Sequence, residues 1–117
     1  MIKPGDIVLF KYPYTDYSGV KRRPALVIAE RPDFKNEFLI TFLTSQTLNF
    51  NKEWDIELDP ESKRDKQTNL KKKTVIKTTK FIIISYFRLT GKIGRIDKSV
   101  LDKVKENIKR WLSDEKQ

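Results

Sequence analysis

Lys21-Arg22-Arg23-Pro24-Ala25-Leu26-Val27-Ile28 runs from three consecutive side chains, all cationic, into an unbroken apolar stretch. A short apolar run opened by proline reads as a strand over 23–30, buried on both faces. Pro24 also holds the residue before it in extended backbone, so Arg23 sits at the mouth of that strand with limited freedom. A planar guanidinium so placed suits two-point binding of a phosphate, and an ordinary surface arginine has the same appearance. The next strand, read over 37–43, ends in Leu43-Thr44-Ser45-Gln46. Two hydroxyls and an amide there could meet an anion, or could serve only the turn backbone.

Outward from this pair of strands the chain continues to read as β-structure. Residues 5–11 form a first strand after a Pro4-Gly5 turn. Residues 31–36 read as a turn. Trp54-Asp55-Ile56-Glu57-Leu58 alternates apolar and acidic, a strand with one wet face. Further strand is expected at 74–76, 81–87 and 89–93. The 81–87 run is read as core for at least half its length, with a subunit interface as the other reading. No internal repeat is present. Ile96, Val100, Leu101, Val104, Ile108, Trp111 and Leu112 recur at mainly three- and four-residue intervals, predicting an amphipathic helix over about 97–112. Asp97 is its expected N-cap, with Ile96 and Leu101 as the staple across it. Short strands followed by one helix predict a mainly β fold, a small, curled, antiparallel barrel with the helix packed on it.

Composition narrows the chemistry. The 117 residues suffice for one domain, 1–117, and one modest core. Twenty-five Lys and Arg against 16 Asp and Glu give a net charge of +9, which favours an anionic partner. There is no histidine and no cysteine, so imidazole and thiolate chemistry are excluded, no transition-metal site is expected, and no cofactor is called for. No apolar stretch approaches the roughly 20 residues of a membrane span. The opening Met1-Ile2-Lys3-Pro4-Gly5-Asp6 does not read as a signal peptide, and a cytoplasmic protein is expected.

Two segments carry charge in patterns that nucleic acid would use. From Lys11 to Arg22 the loop interleaves Tyr12, Tyr14 and Tyr17 with cations, the make-up of a base-stacking surface. One or more of those tyrosines could equally cap the core. Residues 63–80 hold eight basic side chains (Lys63, Arg64, Lys66, Lys71, Lys72, Lys73, Lys77 and Lys80) against one acid, Asp65. That run reads either as a grip on a phosphate backbone or as a solvated mobile loop.

Gly5-Asp6-Ile7-Val8-Leu9, Tyr12-Pro13-Tyr14-Thr15-Asp16, Arg22-Arg23-Pro24-Ala25-Leu26-Val27-Ile28 and Leu43-Thr44-Ser45-Gln46 together resemble the successive signature blocks of the MazF/PemK toxin endoribonucleases. The resemblance extends through Thr74-Val75, Leu89-Thr90-Gly91-Lys92-Ile93-Gly94 and the terminal helix. It implies an SH3-like barrel, a homodimer, and metal-independent cleavage of single-stranded RNA, with an acidic antitoxin occupying the RNA groove. By matching positions it implies that Arg23 and Thr44 are catalytic. Tyr14, Thr15, Asp16, Lys21, Arg22, Ser45, Gln46 and Lys80 are the expected substrate-binding residues. The region 61–73 is more lysine-rich than the family pattern. Two other functions stay open from sequence: a barrel that binds nucleic acid without cutting it, and a poison of DNA gyrase like the CcdB toxins.

Overall fold

A computed structural model describes residues 1–11 and 22–114. Among the described residues, six strands form one antiparallel sheet: β1 (Asp6–Lys11), β2 (Arg22–Arg31), β3 (Phe34–Thr44), β4 (Ile56–Leu58), β5 (Thr74–Ser85) and β6 (Leu89–Arg95). Their order across the sheet is β4-β5-β3-β2-β1-β6, and α1 (Lys98–Leu112) closes the described chain. The fold is thus mainly β with a C-terminal helix, as the apolar periodicities predict.

β2 earns its central place from its composition. Leu26 and Ile28 enter one buried cluster and Ala25 and Val27 the other, so both faces of the strand are dry. The helix lies on the first face, where Val100, Val104 and Ile108, each one turn apart, are buried with Ile96. Burying side chains of this size stabilises by about 1.5–3 kcal/mol each. Asp97 caps the helix by accepting the Ser99 N–H at 3.0 Å.

The curled sheet is not closed by strand pairing. β4 and β6 are its two edges, and the segment 59–73 occupies the gap between them. Burial works against the charged form of the Asp65 carboxylate, yet the Arg64 guanidinium and the Asp59 N–H outweigh it and hold its pKa below the usual carboxylate range. Arg64 forks onto both carboxylate oxygens at 2.8 Å and donates to the Glu57 carbonyl at 3.0 Å, tying the segment to β4. On the other side Asn69 donates its side-chain N–H to the Ile93 carbonyl of β6 at 3.0 Å. Gly94 of β6 lies flat against the Gln67 and Thr68 carbonyls, leaving no room for a Cβ.

Several expectations from sequence need correction. The turn before β3 is shorter than 31–36, because Arg31 already pairs with Phe34 and its guanidinium holds Asp33 and Glu37 at 3.0 and 2.6 Å. Trp54 and Asp55 precede β4 rather than belonging to it. The segments 74–76 and 81–87 are largely one strand, β5, and 81–87 is mostly not core. Ile84 is buried, but Ile82, Ile83, Tyr86 and Phe87 are exposed. Within the basic run 63–80, Asp65 and Thr68 are buried anchors and 74–80 belong to β5, while Lys63, Arg64, Lys66, Lys71, Lys72, Lys73 and Lys80 are exposed.

Candidate phosphate-binding site

The β2–β3 register brings the two sequence stretches together. Ala25 pairs with Phe42 and Leu26 with Thr41, and Arg23 and Thr44 each lie two residues beyond the last of these pairs, at the same end of the two strands. Both line two adjoining cavities. The first, of about 420 Å³, is bounded by Arg23, Phe42, Leu43, Thr44, Gln46, Asn49, Lys77 and Lys80. The second, of about 310 Å³, shares Arg23, Leu43, Thr44 and Gln46 and adds Pro24, Ser45, Leu70, Lys71, Lys72 and Thr74. Neither lining includes a carboxylate among the described residues, so the field in both is positive.

Backbone irregularity in β5 shapes the first cavity. Thr41 pairs with Phe81, but the next β3 residue, Phe42, pairs with Lys77. Thr78, Thr79 and Lys80 are therefore extra residues on β5, a wide bulge of the kind that re-aims side chains beside sites. Thr78 turns inward and donates to the Trp54 carbonyl. Lys80 comes to lie over the Phe42 ring, its ammonium 5.2 Å from the centroid. Phe42 is itself held edge-on by Phe10 of β1, with centroids 5.7 Å apart.

Thr44 serves the turn as well as the cavity. Its hydroxyl oxygen accepts the Gln46 N–H at 3.1 Å. A hydroxyl has one proton to donate and two lone pairs, so that contact fixes the side chain and leaves the O–H proton for another acceptor. Arg23 is exposed near the mouth, between exposed Arg22 and half-buried Pro24, and the strand becomes buried from Ala25. Its ladder partner on β1 is Phe10.

Of the substrate-binding residues expected from sequence, Gln46 lines both cavities, Ser45 the second and Lys80 the first. Arg22 is exposed next to Arg23 but lines neither cavity. Tyr14, Thr15, Asp16 and Lys21 fall outside the described residues. Phe42, Asn49, Leu70 and Thr74 were not anticipated as site residues. Asn49 enters from the 45–55 loop, Phe42 from β3 opposite the bulge, and Leu70 and Thr74 from the end of the 59–73 segment and the start of β5. Of the basic run, Arg64 is engaged with Asp65 and Lys77 with Asp55, while Lys71, Lys72 and Lys80 reach the cavities.

The family model described as PemK-like, MazF-like toxin of type II toxin-antitoxin system matches residues 3–112. The chain belongs to this toxin family. Solved MazF-like structures agree on the fold. An endoribonuclease from a mycobacterial species, solved with its cognate antitoxin, superposes with a TM-score of 0.71 over 96% of this chain and 95% of that one, at 11% identity. The MazE–MazF complex of Deinococcus radiodurans gives 0.71 over 95% of each chain at 16% identity. Toxin MazF-mt6 of Mycobacterium tuberculosis gives 0.65 over 90% and 93% at 15% identity. No curated protein matches the chain by sequence. Among the described residues of this PemK/MazF-family chain, no three metal-ligating side chains cluster, and no helix is long and apolar enough to cross a membrane.

Proposed function

We propose that this toxin cleaves single-stranded RNA without a metal ion, by attack of a ribose 2′-hydroxyl on the adjacent phosphorus. The products are a 2′,3′-cyclic phosphate and a 5′-hydroxyl. The observation that carries the reading is the shared wall of the two cavities. A strand running through both would bring one phosphate to Arg23 and Thr44 and leave its neighbours on either side. Arg23 neutralises the extra charge on the phosphorane-like transition state, and the Thr44 O–H donates to a non-bridging oxygen. Donors aimed at developing charge are commonly worth about 2.7–4 kcal/mol each. Arginine keeps its proton at any working pH, so its role is charge stabilisation rather than proton abstraction. Ser45 and Gln46, with Lys80 on the Phe42 face, hold the flanking strand; Arg22 and the loop residues Tyr14, Thr15, Asp16 and Lys21 belong to the same proposed surface.

The partner reading follows from charge. An acidic antitoxin segment laid across these cavities would compete with RNA and bind less tightly as salt rises. The two antitoxin complexes among the similar structures support it. A homodimer is proposed through the end of β5 and the turn that follows it, where Ile83 is 50% and Phe87 83% exposed and Ile82 and Tyr86 are exposed too. The place of action is the cytoplasm, where message is exposed.

The 2′-hydroxyl requirement gives the test. RNA with a single deoxyribose at the scissile position should bind as RNA does and remain whole. Cutting of that substrate would exclude the mechanism.

A further inference from the structure

Among the described residues, two lysines line the first cavity, and their surroundings differ. Lys80 has the Phe42 ring beneath it and, among the described residues, no ion-pair partner. Lys77 is 28% exposed at its side chain, and its ammonium lies 2.6 Å from an oxygen of Asp55, whose side chain is 3% exposed. It also donates to the Asn49 carbonyl at 3.3 Å. The same Asp55 oxygen accepts the Asn51 N–H at 3.0 Å, while the Asp55 N–H returns to the Asn51 carbonyl at 2.8 Å. One ammonium and one carboxylate thus tie both limbs of the 49–55 turn to β5.

The neighbouring residue extends the anchorage to the helix. The Trp54 carbonyl accepts from Thr78 and, at 3.0 Å, from the Asn107 side chain of α1. Arg110 stacks on the Trp54 ring at 4.2 Å and donates to the Glu53 carbonyl at 2.6 Å. The loop so held supplies Gln46 and Asn49 to the cavity wall and carries exposed Leu48 and Phe50.

We propose that Lys77 is a positioning residue, whose ion pair with Asp55 sets the 45–55 loop, and not a ligand of the substrate's phosphates. Turning its ammonium toward an incoming phosphate would strip a buried carboxylate of its counter-charge, which is strongly unfavourable. The loop in turn determines what fits beside the reacting phosphate, so Lys77 acts on selectivity through Gln46 and Asn49. The selectivity claim rests on the RNA reading above; the claim about the loop does not.

The test has two arms, run on Lys77→Met, Lys80→Met, Asp55→Asn and Lys77→Arg. In the free protein, hydrogen exchange of the Asn51 and Asp55 amides should accelerate tenfold or more in Lys77→Met, stay unchanged in Lys80→Met, and be largely restored in Lys77→Arg. In the second arm, affinity for a deoxy-blocked RNA is followed against salt. Each phosphate contact with a single strand contributes about 0.7 to the log–log slope. Lys80→Met should lower the slope by about that amount, and Lys77→Met should leave it unchanged. Asp55→Asn, which frees the Lys77 ammonium, should steepen it. Should Lys77→Met fail to fold, Asp55→Asn decides alone. A fall in slope with Lys77→Met and unaltered exchange, or no change of slope with Asp55→Asn, would make Lys77 a phosphate ligand and overturn the proposal. If the parent binds no RNA, the RNA reading fails, and the exchange arm still judges the loop.

Discussion

Gly94→Ala tests how the edges of the sheet are joined. A Cβ at Gly94 would press into the carbonyls of Gln67 and Thr68, which are backbone and cannot swing aside. Either β6 or the 59–73 segment must move, and forcing extra volume into a packed site costs about 1–3 kcal/mol. The shift would also stretch the 3.0 Å bond from Asn69 to the Ile93 carbonyl, a further loss of about 1 kcal/mol. Together these give about 2–4 kcal/mol. With an unfolding entropy of about 2.1 cal/mol/K per residue over 117 residues, each kcal/mol lowers Tm by about 4 °C. Thermal unfolding should therefore fall by about 8–16 °C. Gly91→Ala is the control, since a Cβ there meets nothing within 4 Å, and its Tm should move by less than about 2 °C. Lys71 and Lys72 ride on the displaced segment, so Gly94→Ala should also loosen RNA binding at the second cavity. Equal melting of the two variants would refute the packed edge.

Other outcomes follow from the same geometry. Thr44→Val removes the donor and should lower kcat by about 10²–10³, whereas Thr44→Ser should stay within about tenfold; equal activity of the two would remove Thr44 from the chemistry. Asp65 has a lowered pKa in the folded state, so its stabilisation is complete above the unfolded carboxylate value near 3.9 and is lost as pH falls through the folded value. Asp65→Asn should therefore melt well below the parent at pH 7, with the gap narrowing in acid; a gap independent of pH would contradict this reading. Phe87→Glu places a charge in the exposed apolar turn after β5 and should turn the proposed dimer into a monomer in sedimentation without lowering the monomer's fold content, and an unchanged dimer would move the interface elsewhere.

Much of the architecture is legible in local pattern. The apolar run after Pro24 is long and unbroken because β2 is dry on both faces, and the three- and four-residue spacing after Asp97 is that of a helix with one buried stripe. Arg23 and Thr44 stand out because each ends a strand, and adjacent strands in register bring such ends together. Other features depend on long-range pairing that no local pattern records. Thr78-Thr79-Lys80 interrupts the apolar alternation and so reads as a gap between two strands, when it is a bulge within one. The lysine-rich 61–73 segment looks solvated, yet Asp65 and Gly94 fix it as the join between two sheet edges. The 81–87 run reads as at least half core, yet Ile83 and Phe87 are exposed, because periodicity alone cannot tell a buried apolar residue from an exposed one.

The central claim is that Arg23 and Thr44 form a metal-free RNA-cleaving centre. Its most direct test is to incubate the purified protein with a long single-stranded RNA in EDTA, beside Arg23→Ala, and to identify the new ends. Discrete fragments bearing 2′,3′-cyclic phosphate and 5′-hydroxyl ends, from the parent and not from the variant, are the expected result. RNA that is bound but left whole by the parent, or equal cutting by Arg23→Ala, would contradict it.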